Sequence, residues 1–172
     1  MFLMNTNVAS REDHILVQQE RARRTRIHGE ELNALEASAR YREGDPEAVE
    51  TYYRIVFGTA IRRPEHLERL IERLTLSFTK QGVLTGREIE ERLFDEIAFS
   101  RSPDLIPQLE GLSVPTLVLH GDYDFIPAET ASRIARAIPG ARFVLLNDCG
   151  HFAYLESPDE VRQEIANFLA AG

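Results

Sequence analysis

The sequence predicts an α/β fold: an all-helical part, then a short parallel βαβ unit and a C-terminal helix. Three observations carry that prediction. Residues 10–100 show helical apolar spacing and no convincing strand. Residues 114–120 and 143–146 are short, almost continuous apolar runs, as strands buried on both faces require. A helical pattern over residues 127–138 separates those two runs, so the strands are expected to be parallel with a right-handed crossover.

The elements follow in order. Met1 to Met4 is apolar for only four residues and has no basic leader, so it is not expected to be a secretory signal. Ser10 and Asp13 have capping-box-like spacing and open a helical stretch running to about Tyr41. Gly44-Asp45-Pro46 breaks it, with Asp45 as cap and Pro46 at the first helical position. The next helix carries Val49, Tyr52, Tyr53, Val56 and Phe57 and ends at Gly58. Pro64 opens a third, bearing Leu67, Leu70, Ile71, Leu74 and Phe78. Thr85 and Glu88 have capping-box spacing for a fourth, carrying Ile89, Leu93, Phe94 and Ile97. The aromatic stripes are read as core rather than as a pocket wall. Residues 100–107, with two prolines, form a connector. Pro139-Gly140 ends the crossover helix, and Ser157-Pro158-Asp159-Glu160 opens the last one, with Val161, Ile165, Phe168 and Leu169 facing inward.

Composition narrows the function. The chain has 172 residues, 43% apolar and 28% charged, enough for a sizeable core and ordinary for a globular chain. A formal charge of −8 disfavours nucleic acid as a partner, because phosphate contact needs a basic face. Arg21, Arg23, Arg24 and Arg26 form a local basic cluster, read as a solvated helix face. No apolar run reaches the ~18 residues that span a bilayer, so no membrane partner is expected and a cytoplasmic location is the default. Cys149 is the one cysteine, which leaves no internal disulfide and no cysteine-rich zinc site; it is read as buried and inert. His14, His28 and His66 lie among charges on helices and are read as solvent-facing. No histidine spacing suggests a metal, and no cofactor is expected.

Chemistry is expected where parallel strands end, because ligands of open α/β sheets bind at the carboxyl ends of strands. The first strand runs into Gly121-Asp122-Tyr123-Asp124, and the second into Asn147-Asp148-Cys149-Gly150-His151. Parallel neighbours bring a carboxylate and an imidazole together at one sheet edge, the arrangement in which an acid orients a histidine that moves a proton.

These residues resemble a known family. Residues 114–127, including His120-Gly121-Asp122-Tyr123-Asp124, are similar to the segment that supplies the triad acid in α/β-hydrolases. Residues 147–152 with Glu156-Ser157-Pro158 are similar to the segment that carries their catalytic histidine. The resemblance covers residues 111–172 and implies Asp124 as acid, with Asp122 as the alternative, and His151 as base. Less sharply, residues 2–13 and Gly44-Asp45-Pro46-Glu47-Ala48 with the Tyr52-Tyr53 helix resemble the core strand and helical lid of enzymes related to proline iminopeptidases. That implies a partial α/β-hydrolase fold with a residual core strand at 1–9, a lid at 10–100 and a C-terminal hydrolase segment at 101–172. The implied substrate is a small molecule or short peptide, cleaved at an ester or amide bond.

The family pattern also needs a nucleophile on a Gly-x-Ser-x-Gly elbow and an oxyanion loop, and none of the ten glycines flanks a Ser, Cys or Asp in that way. Family order puts the nucleophile before the lid, so roughly a hundred further residues are expected ahead of Met1, lost through truncation or a misplaced start. The chain alone is then expected to be inactive. The alternative is a non-catalytic binding or assembly module derived from a hydrolase, self-associating through an exposed sheet edge.

Overall fold

The computed structural model describes residues 1–76, 78–96 and 104–171, without the side chains of 93–96. Ile97, the side chains of Leu93 and Phe94, and residues 100–103 of the expected connector lie outside the described residues. The chain forms a helix-rich α/β structure around a three-stranded parallel sheet, β1 (Phe2–Met4), β2 (Leu117–Gly121) and β3 (Arg142–Leu146), in the order β1-β2-β3. The register pairs Phe2 with Leu117 and continues through Gly121 with Leu146.

β2 is central, and all five of its residues are buried. Alternation sends Leu117 and Leu119 to one face, where they pack with Val161, Ile165 and Phe168 of α10 (Pro158–Ala170). Val118 points the other way, onto Ala131 and Ala135 of α8 (Ala128–Ala137). Burying each such side chain is worth about 1.5–3 kcal/mol, which is why a strand covered on both sides reads as an unbroken apolar run. The short α7 (Ile106–Leu109) extends the α8 layer. β1 is an edge: Phe2 is 44% and Met4 36% exposed, although the Phe2 ring rests edge-on against Phe168 at 5.6 Å.

Between β1 and β2 the described chain is helical. Ser10 Oγ accepts from the Asp13 N–H and opens α1 (Arg11–Thr25). The stretch expected to continue to Tyr41 breaks instead at a 3₁₀ turn, giving α2 (Gly29–Ala37) and then α3 (Ala39–Arg42). Ser38 causes the second break, because its hydroxyl donates to the Leu35 carbonyl and accepts from the Tyr41 N–H. Asp45 caps α4 (Pro46–Gly58) through the Ala48 N–H, and Gly44 supplies the positive φ that reaches it. Pro64 opens α5 (Glu65–Thr75).

Two expectations fail here. α6 runs over Lys80–Glu96, and Thr79, not Thr85, receives the first-turn N–H, from Gly82; Thr85 lies inside the helix. The aromatic stripe of α4 is not fully core. Val49 is buried, but Tyr52, Tyr53, Val56 and Phe57 are half-buried and line a cavity of about 600 Å³ shared with α1 and α6.

Two glycines permit close approaches at the sheet ends, Gly121 to the β3 loop and Gly150 to residues 60–62. A Cβ on Gly121 would lie 2.3 Å from the Cys149 carbonyl oxygen, and one on Gly150 would lie 2.2 Å from the Ala60 carbonyl oxygen. Gly121→Ala and Gly150→Ala are each expected to cost about 2–3 kcal/mol by chemical denaturation, because backbone rather than a yielding side chain blocks the methyl. Gly29→Ala, with nothing within 4 Å, should change stability by less than about 0.5 kcal/mol. Equal effects at the three positions would contradict this packing.

Candidate active site at the ends of β2 and β3

The loop after β2 turns at Gly121 and brings the Asp124 carboxylate inward, where it is 3% exposed. One oxygen accepts the Ile126 N–H at 2.9 Å, the local bond by which an aspartate fixes a turn two residues on. The other accepts from the Asn5 side-chain amide at 2.7 Å. His151, on the loop after β3, places Nδ1 3.0 Å from both oxygens. A carboxylate only accepts, so Nδ1 carries the hydrogen. The ring rests against Phe125 at 4.6 Å and Phe152 at 5.1 Å. Its Nε2 has no hydrogen-bond partner among the described residues. The imidazole lines a cavity of about 250 Å³ together with Asn5, Arg21 and Phe125.

Asp122 does not reach His151. Its carboxylate accepts the Cys149 N–H at 3.0 Å, while its own N–H donates to Leu146 and that of Tyr123 to Cys149. These bonds lock the β2 loop against the β3 loop. Of the two aspartates weighed from sequence, Asp124 is therefore the one in contact with the imidazole.

Several supporting residues escaped the sequence reading. Glu156, 2% exposed, accepts the N–H groups of Gly150, Arg62 and Arg63 and so pins the histidine loop to residues 60–63. Three backbone donors are what make a buried carboxylate tolerable. Asn5, in the left-handed region at φ 46°, stands at the end of β1; the strand-end rule already used for β2 and β3 would have found it. His120, fully buried, donates Nε2–H to the Ile126 carbonyl at 2.8 Å and lies 3.7 Å from Asp124.

The arginine cluster is not a uniform solvated face. Arg24 donates to the carbonyls of Thr59, Tyr123 and Asp124, tying α1 to the acid loop. Arg21 lies half-buried over the Phe125 ring. His14, His28 and His66 are half-buried rather than solvent-facing, because the helices that carry them pack on their neighbours.

Electrostatics agree with this geometry. Burial pushes the Asp124 carboxyl upward, but the hydrogen bond and charge of His151, the charge of His120 and the Ile126 N–H outweigh it and hold the group below its ordinary value. Burial pushes the Cys149 thiol up to about 11, so it is a neutral packing residue. Among the described residues no group of three His, Cys, Asp or Glu side chains is arranged to hold a metal ion. None of the described helices is long and apolar enough to cross a membrane.

Two outcomes follow for this site. Long-range ¹H–¹⁵N NMR should find neutral His151 as the Nδ1–H tautomer; an Nε2–H tautomer would contradict the Asp124 contact. Because the Asp124 carboxyl is held low in the folded state, its stabilising contribution is complete above the ordinary carboxylate value of about 3.9 and is lost as pH falls below it. Asp124→Asn should remove that part of the acid slope in a pH-resolved denaturation series, and an unchanged slope would refute it.

Comparison with known proteins agrees with this architecture. The profile of the alpha/beta hydrolase family matches residues 9–164. A 2-hydroxy-6-oxononadienedioate/2-hydroxy-6-oxononatrienedioate hydrolase of Klebsiella pneumoniae is 39% identical over 69 residues, 40% of this chain and 24% of that protein. An esterase of Thermogutta terrifontis is 25% identical with a TM-score of 0.60, over 99% of this chain and 55% of the other. MenH of S. aureus shares the fold at 20% identity and a TM-score of 0.56, over 99% of this chain and 58% of the other. The alignments thus span about a quarter of the Klebsiella relative and little more than half of the two solved structures. With the profile covering most of its length, this chain belongs to the alpha/beta hydrolase family.

Proposed function

We infer that these 172 residues supply the acid–base half and the helical lid of a serine-type acyl hydrolase. The observation that carries this reading is the buried Asp124 carboxylate holding Nδ1 of His151 while Nε2, without a partner among the described residues, stands beside a cavity. Nε2 takes the proton from a serine hydroxyl as its oxygen bonds to the acyl carbon, then returns that proton to the leaving alcohol or amine. Water repeats the cycle, releases the acid and restores the serine. Asp124 fixes the tautomer and stabilises the imidazolium. No Gly-x-Ser-x-Gly occurs in the 172 residues, so the serine and oxyanion donors come from a segment outside them. The lid, by its likeness to that of proline iminopeptidases, is the part that shapes the pocket.

A second reading is favoured by the open edge of β1, whose exposed Phe2 and Met4 suit pairing with another strand. In that reading the chain is an assembly module, and sedimentation should find it self-associated.

The first reading predicts that the isolated chain gives no labelling with a fluorophosphonate probe. The coding DNA ahead of Met1 should contain an in-frame Gly-x-Ser-x-Gly. The longer product should hydrolyse p-nitrophenyl esters and lose at least ~10³-fold in kcat with His151→Ala. Robust labelling of a serine within the 172 residues, or an active His151→Ala product, would overturn it.

A further inference from the structure

Arg21 separates two cavities. It lines the space of about 250 Å³ in front of His151 and also the aromatic cavity of about 600 Å³ beneath α4. Its neighbours on α1, Arg23 and Arg24, both pair with Glu20. Arg21 pairs with no carboxylate among the described residues, and its guanidinium lies 5.2 Å over the Phe125 ring. Phe125 in turn touches the imidazole of His151. An unpaired cation in a partly closed space lacks the carboxylate that its neighbours have found.

The larger cavity repeats the imbalance. Arg87 donates Nη1 to the Tyr41 carbonyl at 2.7 Å and stacks 4.0 Å over the Tyr41 ring, but its buried Nη2 has no acceptor among the described residues. A buried N–H of a charged group without a partner is costly, and a ligand oxygen would relieve that cost. Tyr52, Tyr53 and Phe57 form the apolar wall, with Tyr53 and Phe57 stacked at 4.9 Å. Burial keeps the phenols of Tyr41, Tyr52 and Tyr53 protonated by raising them above their ordinary value. The charged groups on the wall are two guanidinium ions and the exposed Glu90, with the Glu36 carboxylate near enough to act on Tyr41 and Tyr52.

We propose that this cavity is a recognition subsite for a carboxylate-bearing molecule with an aromatic or bulky apolar body. The carboxylate pairs with Arg21, in reach of Arg87, and the body lies against Tyr52, Tyr53 and Phe57. A planar guanidinium receives a carboxylate through two parallel hydrogen bonds, a geometry that an amide or alcohol cannot match. The Phe57 ring meets Phe152, the neighbour of His151, at 5.1 Å, so two aromatic rings, Phe57 and Phe152, lie between the cavity and the imidazole. Only the orientation of the ligand toward the reacting bond rests on the acyl-hydrolase reading; the binding itself does not.

Isothermal titration calorimetry on the full 172-residue chain tests this without turnover. 3-Phenylpropionate should bind at least ~10-fold more tightly than 3-phenylpropanamide and 3-phenylpropylamine, as expected for a charge-assisted pair. Arg21→Gln should erase that preference, while Arg21→Lys should retain part of it. Circular dichroism checks that both variants fold, and Arg21 makes no structural hydrogen bond through its guanidinium among the described residues. Equal binding of acid and amide, tighter binding of the amine, no saturable binding, or an unaltered preference in Arg21→Gln would each overturn the proposal. A failed fluorophosphonate or esterase test leaves this result standing, so the two readings fail separately.

Discussion

The structure depends on one close approach, the contact of the β2 loop with the β3 loop at Gly121 and Gly150. Parallel pairing ends both strands at the same edge of the sheet. The missing Cβ at Gly121 lets its backbone meet the Cys149 and Gly150 carbonyls, and the Asp122 carboxylate and the Tyr123 N–H then clasp Cys149 from both sides. Asp124 and His151, 27 residues apart, are brought within hydrogen-bond distance by that clasp. The imidazole–carboxylate bond is a consequence of backbone geometry, so it is preformed rather than induced.

Buried charge is handled by the same economy. Asp124 and Glu156 are nearly inaccessible, and backbone N–H groups bond both, joined at Asp124 by the Asn5 amide and the His151 ring. Such donors stabilise a carboxylate without burying a second full charge, which limits the desolvation cost. Arginines are used at the rim instead. Arg24 joins α1, the end of α4 and the acid loop through three carbonyls, and Arg62 and Arg63 hold Asp148 at the surface. The helical part is thereby fastened to the sheet-end loops by polar contacts on both sides of His151. Arg21, which pairs with no carboxylate among the described residues, faces both the cavity at His151 and the one beneath α4.

The α/β part was legible in the sequence because its signals are local and strong. A strand covered on both faces must be apolar throughout, as at residues 117–119, and the Pro127, Pro139-Gly140 and Ser157-Pro158 breaks mark the helix ends closely. The strand-end rule with parallel neighbours brought a carboxylate and His151 to one edge, and the family resemblance then favoured Asp124 over Asp122. The helical part was less legible. Thr85 with Glu88 imitates a capping box, but Thr79 caps first and the helix tolerates Gly82 and Gly86. Ser38 breaks a periodic stretch through two side-chain bonds that hydropathy does not register. Asn5 and Glu156 were missed because their partners are more than ninety residues away, at Asp124 and at Arg62 and Arg63. Nothing local separates Glu156 from an ordinary surface polar group, whereas the position of Asn5 at the end of β1 was a signal of the same kind as those at β2 and β3.

The central claim is that this chain builds the Asp124–His151 pair by itself, before any substrate or nucleophile arrives. A double-mutant cycle in urea unfolding of the 172-residue chain tests it most directly, comparing Asp124→Ala, His151→Ala and the double variant. A preformed buried pair predicts a coupling of about 1 kcal/mol or more, with the double variant losing less than the two single losses combined. Additive losses, with no coupling beyond the error of about 0.3–0.5 kcal/mol, would contradict it.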